Sequence, residues 1–152
     1  MNHIPSPLPT TSDGWVEAEI RAKGADKAPR VTPADIEANI IGEHYFSAQD
    51  GMMSRVYSPE GARCDAKSVY HVDDPAAMLP LRLLTFCVLT LRNGFTVTGE
   101  SACASPENFD AEIGRKIARE NAVAKVWPLM GYALRQHLHN MEMVDAEIAS
   151  EG

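Results

Sequence analysis

The sequence predicts an α+β domain: a short N-terminal helix, an antiparallel β-sheet built on a central hairpin, and a long kinked C-terminal helix. Three observations predict it. Asn93-Gly94 separates two strand-like runs, residues 81–91 (LRLLTFCVLTL) and 95–101 (FTVTGES). Apolar residues recur at three and four after Ser105-Pro106-Glu107. Thr32-Pro33 opens a shorter stretch with Ile36, Ile40 and Ile41 at helical spacing.

Residues 1–30 read as a flexible leader, rich in Pro, Ser and Thr at its start, with Trp15, Val16 and Ile20 able to dock locally. Thr32 suits a helix N-cap, Pro33 the first helical position and Asp35 the third, where a carboxylate favours the helix dipole. A helix over residues 33–41 follows, with Gly42 as its stop. Residues 44–80 are the least regular, broken by Gly51, Pro59, Gly61, Pro75 and Pro80, with short strands around residues 55–57 and 68–72.

Residues 81–91 are apolar on both faces, which marks a central, covered strand. Asn-Gly then predicts a two-residue type I′ turn, because both central residues of that turn need positive φ. The second strand alternates Phe95 and Val97 with Thr96 and Thr98, so one of its faces is more polar. Ser105-Pro106-Glu107 supplies a cap, a proline and an early acid for the long helix. Phe109, Ile113, Ile117, Ala124, Trp127, Leu134 and Leu138 would form its buried stripe, with a kink or split at Pro128 near Val126. The organisation is a leader (1–30), one α+β domain (31–140) and an acidic C-terminal tail (141–152).

A chain of 152 residues can bury a core without metals or disulfides. Its net charge of −7 disfavours duplex nucleic acid, which asks for a basic footprint. Three cysteines, Cys64, Cys87 and Cys103, with no C-x-x-C pair, argue against a disulfide scaffold and a zinc site. No apolar run is long enough to span a membrane, and the first residues lack a basic signal-peptide start, so a cytoplasmic location is expected.

Catalytic motifs are missing: there is no G-x-S-x-G, P-loop, G-x-G-x-x-G or H-E-x-x-H. His137 and His139 point to different faces of a helix, and Cys87 reads as a small core residue. The expectation is a binding protein, not an enzyme, with no cofactor and no metal. A hydrolase using Cys103 or a carboxylate is the weakest reading. The basic residues Arg115, Lys116, Arg119 and Lys125 fall on the long helix. They read either as a solvated face paired with Glu112 and Glu120, or as an anion site. Donors to that anion would be Arg115, Arg119, Lys125 and the helix start at Ser105 and Asn108, with Phe109 to stack and Thr98 on the adjoining strand. Gly114, Ala118 and Ala122 form a small-residue stripe, suited equally to a fit against the sheet and to an interhelical contact in an oligomer.

Residues 84–134, above all Asn93-Gly94-Phe95, SPENFDAEIG (105–114) and ENAVAKVW (120–127), closely resemble a family of small phage and prophage accessory proteins, Gp49-like, as does APRVTPADIEANI upstream. The layout is also similar to phage Thoeris anti-defence sponges of the first described type. That resemblance implies sequestration, without turnover, of a cyclic nucleotide immune signal such as a cyclic ADP-ribose isomer or cyclic oligonucleotide. It further implies a homo-oligomer, a dimer or trimer of dimers, in the host cytoplasm, with pockets at subunit interfaces. The positions carried over are Asn108, after the hairpin, and Lys125 or Arg119 on the long helix. The alternative is an acidic protein-binding accessory factor that inhibits a host enzyme.

Overall fold

The computed structural model describes residues 12–57 and 75–151. They form five helices, α1 (Ser12–Ala22), α2 (Pro33–Asn39), α3 (Ala48–Tyr57), α4 (Pro75–Arg82) and α5 (Ala111–Glu151), and three strands, β1 (Ile40–Ser47), β2 (Leu84–Leu91) and β3 (Thr96–Ala102). The chain divides into two compact units: Met1–Asn39 with Trp127–Gly152, and Ile40–Val126.

In the first unit, α1 occupies part of the segment read from sequence as a leader. Glu17 on α1 accepts from both Arg21 (3.1 Å) and Arg30 (2.8 Å), which fastens the loop before α2 to α1. Asp13 accepts from the Trp127 indole N–H at 3.3 Å. The expected start of α2 is present as a reciprocal cap: Asp35 N–H donates to Thr32 Oγ1 (3.2 Å) and Thr32 N–H donates to Asp35 Oδ2 (2.8 Å). Its Ile36 is fully buried. Pro128 neither ends nor splits α5, and the acidic tail is helical through Glu151.

The second unit is an antiparallel sheet in the order β1-β2-β3, with the N-terminal part of α5 on one face. β2 is the central strand, as its apolar run predicts. It begins at Leu84, because residues 75–82 form α4. β1 was not expected. The helical spacing of Ile40 and Ile41 masks a switch from helix to strand at Asn39, and Ile41 protrudes from a bulge between the Ile40–Leu91 and Gly42–Thr90 pairs. Residues 55–57 lie in α3, not in a strand, while the strand expected at 68–72 lies outside the described residues.

The hairpin stands where Asn93-Gly94 predicts it, with a different turn. Leu91 N–H donates to Phe95 O (2.8 Å) and Gly94 N–H to Leu91 O (2.9 Å), and Gly94 has φ +84°. Asn93 keeps negative φ, which excludes type I′. The loop is three residues long, a tight turn followed by a left-handed glycine. Asn93 Oδ1 accepts from Phe95 N–H at 3.0 Å, a local bond that holds the turn with Asn93 in its easier backbone region.

The buried stripe of α5 also differs from expectation. Ile113 is 56% and Ile117 43% exposed, whereas Ala118, Ala122 and Val126 are fully buried and Gly114 is buried. The reason is Gly99 on β3. A Cβ there would lie 2.1 Å from the Ala118 carbonyl oxygen and 2.3 Å from the Ala122 nitrogen. Backbone meets backbone at that point, so only small side chains fit between helix and sheet. Opposite them the sheet buries Cys87, Leu89, Leu91 and Val97. The small-residue stripe is thus the intramolecular fit, and the isoleucines are left facing out.

Candidate functional site

The helix that carries the basic residues starts later than its sequence suggests. Pro106–Asn108 is a single 3₁₀ turn, and Ser105 makes no side-chain cap; its hydroxyl bonds Glu107 instead. Asp110 is the cap: its Oδ1 accepts the Glu112 and Ile113 N–H groups, each at 2.9 Å. This shift uses up the first amides of α5 on a carboxylate. The Ser105–Asn108 start therefore offers no long-helix N-terminus to an anion, contrary to the sequence reading. Ser105 O accepts from the Cys103 thiol (3.1 Å) and from Asn108 N–H (3.2 Å).

The sheet divides the remaining candidates. Lys125 Nζ donates to the Thr98 carbonyl at 2.7 Å and lies 3.3 Å from Glu100 Oε2, and Asn121 Nδ2 donates to the Glu100 carbonyl at 2.8 Å. Both residues thus serve the outer edge of β3. Thr98 Oγ1 donates to Glu100 Oε1 at 3.1 Å. Lys125 and Thr98 are together, but on the opposite edge of the sheet from the two arginines.

Arg115 and Arg119, one turn apart, lean over β1. Arg119 donates through Nε (3.0 Å) and Nη2 (2.8 Å) to Glu43 Oε1, and the Tyr45 hydroxyl donates to Glu43 Oε2 at 2.8 Å. The Arg119 hydrogen bond, helped by Tyr45, holds the Glu43 carboxyl below its ordinary range against the opposing effect of burial. Burial, then the Glu43 carboxylate, pushes the Tyr45 phenol up, so it stays a neutral donor. Burial likewise raises the Cys87 thiol, which is an inert core group.

Arg115 lines an open cleft of about 130 Å³ with Tyr45, Phe46, Ser47, Asp50, Thr85, Phe109 and Ala111. It makes no ion pair with another described residue. Phe46 stacks on Phe86 with ring centroids 5.4 Å apart. Ser47 and Asp50 cap α3 reciprocally, Ser47 N–H to Asp50 Oδ2 at 2.7 Å and Asp50 N–H to Ser47 Oγ at 3.1 Å, and these bonds keep the Asp50 carboxyl below its ordinary range. The cleft thus offers the Arg115 guanidinium, the Tyr45 and Phe109 rings, and an Asp50 carboxylate already engaged by Ser47, while the Phe46 ring stacks on Phe86 on the other face of the sheet.

Phe109 and Arg115 are the two sequence-selected residues that share this cleft. Glu43, Tyr45, Phe46, Ser47 and Asp50 were missed because they sit on β1 and the start of α3. The Ser47-x-x-Asp50 spacing is the one signal that marks them, as a helix start. Among the described residues no cluster of His, Cys, Asp and Glu could hold a metal ion, and no helix is long and apolar enough to cross a membrane.

The sequence model of the phage protein (N4 Gp49/phage Sf6 gene 66) family matches residues 31–138. No curated protein and no solved structure matches the chain.

Proposed function

The chain belongs to the phage protein (N4 Gp49/phage Sf6 gene 66) family, and from that premise we propose that it sequesters a cyclic nucleotide immune signal in the host cytoplasm without turning it over. The observation that carries this reading is the meeting of Arg115 with Tyr45 and Phe109 in one open cleft. A guanidinium with no ion pair among the described residues suits a phosphate, and the rings suit a base. Small-molecule sites usually enclose ~300–1,000 Å³. A cleft of about 130 Å³ is part of such a site, and a second subunit would supply the rest. Arg119 contributes less, because Glu43 already neutralises it. Nothing in this role calls for a nucleophile or a general base.

Calorimetric titration with cyclic ADP-ribose isomers and cyclic di- and trinucleotides tests the proposal. Arg115→Ala should weaken binding by roughly 10- to 100-fold, the worth of one charge-assisted bond, and leave the melting temperature nearly unchanged. Ligand should be recovered intact after the complex is denatured. Absence of heat with every nucleotide, or recovery of cleaved ligand, would overturn it. The second reading, an acidic factor that docks on a basic protein and inhibits it, is favoured by the net charge of −7. A stoichiometric protein partner from host lysate, with no nucleotide bound, would select it.

A further inference from the structure

We propose that Glu43 sets the selectivity of the cleft: it engages Arg119, so that a bare anion meets a neutralised surface and only a ligand that also contacts the rings draws Arg119 away. The inference rests on the anion reading of Arg115 and adds a residue to that site. Glu43 and Tyr45 stand opposite Leu89 and Cys87 of β2, on the sheet face that α5 covers. Arg115 and Arg119 reach that face from α5, one turn apart, a spacing that sets their Cβ atoms about 5–6 Å from each other. Tyr45 joins the two places. It lines the cleft with Arg115, and its hydroxyl donates to Glu43 Oε2 at 2.8 Å. A ligand resting on Tyr45 is therefore a neighbour of the Glu43–Arg119 pair.

Two guanidiniums here, Arg115 and Arg119, are matched by two carboxylates, Asp50 and Glu43. A phosphoryl group arriving at Arg115 finds no net positive charge. The second guanidinium is near but engaged: Glu43 Oε1 accepts from both its Nε (3.0 Å) and its Nη2 (2.8 Å). The pair is not sealed, since the Arg119 and Glu43 side chains keep 30% and 33% exposure. Ion pairs open to water contribute little to stability, so they can exchange partners. When Arg119 turns to a ligand, Glu43 keeps the Tyr45 hydroxyl and water, and no charge is left buried alone. Two guanidiniums one turn apart can then converge on phosphoryl oxygens. A small anion has nothing to offset the bonds that Glu43 gives up. A nucleotide has the Tyr45 and Phe109 rings to rest on.

Inorganic pyrophosphate is the probe, because it carries charge and no ring. Calorimetric titration of Glu43→Gln should give an affinity roughly tenfold or more above wild type, as a unit negative charge is lost and Arg119 is released together. In an Arg119→Ala background the same substitution should gain no more than about threefold, since only the charge is then lost. Arg115→Ala should weaken pyrophosphate binding in each background. Circular dichroism verifies that every variant is folded. Should Glu43→Gln fail to fold, Glu43→Asp is the substitute; it withdraws the carboxylate by one methylene and should gain about threefold or more. An affinity of Glu43→Gln at or below wild type, with Arg115→Ala still weakening binding, would overturn the role of Glu43 and leave the cleft reading standing. An equal gain with and without Arg119 would overturn it too. Pyrophosphate that binds none of the proteins, or binds without regard to Arg115, would overturn both.

Discussion

Gly99→Ala should destabilise the protein strongly, against what backbone preference alone would give. In a strand, alanine in place of glycine removes conformational entropy from the unfolded chain and is worth about 0.5–1 kcal/mol in favour of the variant. Here the added Cβ meets the Ala118 carbonyl oxygen at 2.1 Å, the Ala122 nitrogen at 2.3 Å and the Ala122 Cα at 2.9 Å. None of these can rotate away, since all belong to helix backbone. Restoring ordinary contact near ~3.5 Å requires α5 to lift by roughly 1.4 Å. A gap of that size removes much of the dispersion contact of Cys87, Leu89 and Val97 with the helix. It also stretches the Asn121 and Lys125 bonds that flank Gly99 on β3. Overpacking and two weakened hydrogen bonds together cost roughly 3–5 kcal/mol, a fall of about 6–20 °C in melting temperature for a chain of this size. Circular dichroism melts of wild type and variant read it directly. A variant that melts at or above the wild-type temperature would refute the close backbone approach and with it the placement of α5 on the sheet.

The other glycines give contrasting outcomes. Gly131→Ala, with open space around the added Cβ on a helix, should stabilise by about 0.5–1 kcal/mol, seen as a higher midpoint in urea. Gly94→Ala also meets nothing within 4 Å, yet its φ of +84° should cost about 1–2 kcal/mol, so a neutral result in the same titration would disprove the left-handed turn. Asp110→Ala should cost about 1 kcal/mol through the lost cap, whereas Ser105→Ala should be nearly neutral in the same melts. Glu43→Gln should lower the melting temperature at pH 7. Because Arg119 depresses the Glu43 carboxyl in the fold, its stabilisation is present above the unfolded-state value and fades as pH falls through the folded one, so the gap between variant and wild type should close in acid. A gap that widens in acid would contradict the ion pair.

Local chemistry was legible in the sequence where residues a few positions apart decide the outcome. Thr32 and Asp35 cap α2 as their spacing predicts, and Asn93-Gly94 places the hairpin between the right strands. The turn type was not legible, because an Asx bond from Asn93 to Phe95 competes with the left-handed conformation that a two-residue loop demands. The start of α5 was misplaced for a similar reason: Ser105-Pro106 and Asp110 are both good starts, and the 3₁₀ turn uses one while the helix uses the other. The buried face of α5 depends on Gly99, remote in sequence, so periodicity selected the larger isoleucines over the small residues that fit. The Arg119–Glu43 pair spans 76 positions, and no reading that missed β1 could find it. Phe109 and Arg115 could be grouped because one short segment carries both.

Asn121 and Lys125 have a consequence for how far the sheet can grow. Their donors occupy the Thr98 and Glu100 carbonyls along the outer side of β3. A strand from another molecule approaching that side would have to displace an amide and an ammonium before it could bond to either carbonyl. The long helix therefore acts as a stop as well as a cover, a use of side chains against unwanted strand addition. Any lengthening of the sheet by a partner would begin at β1.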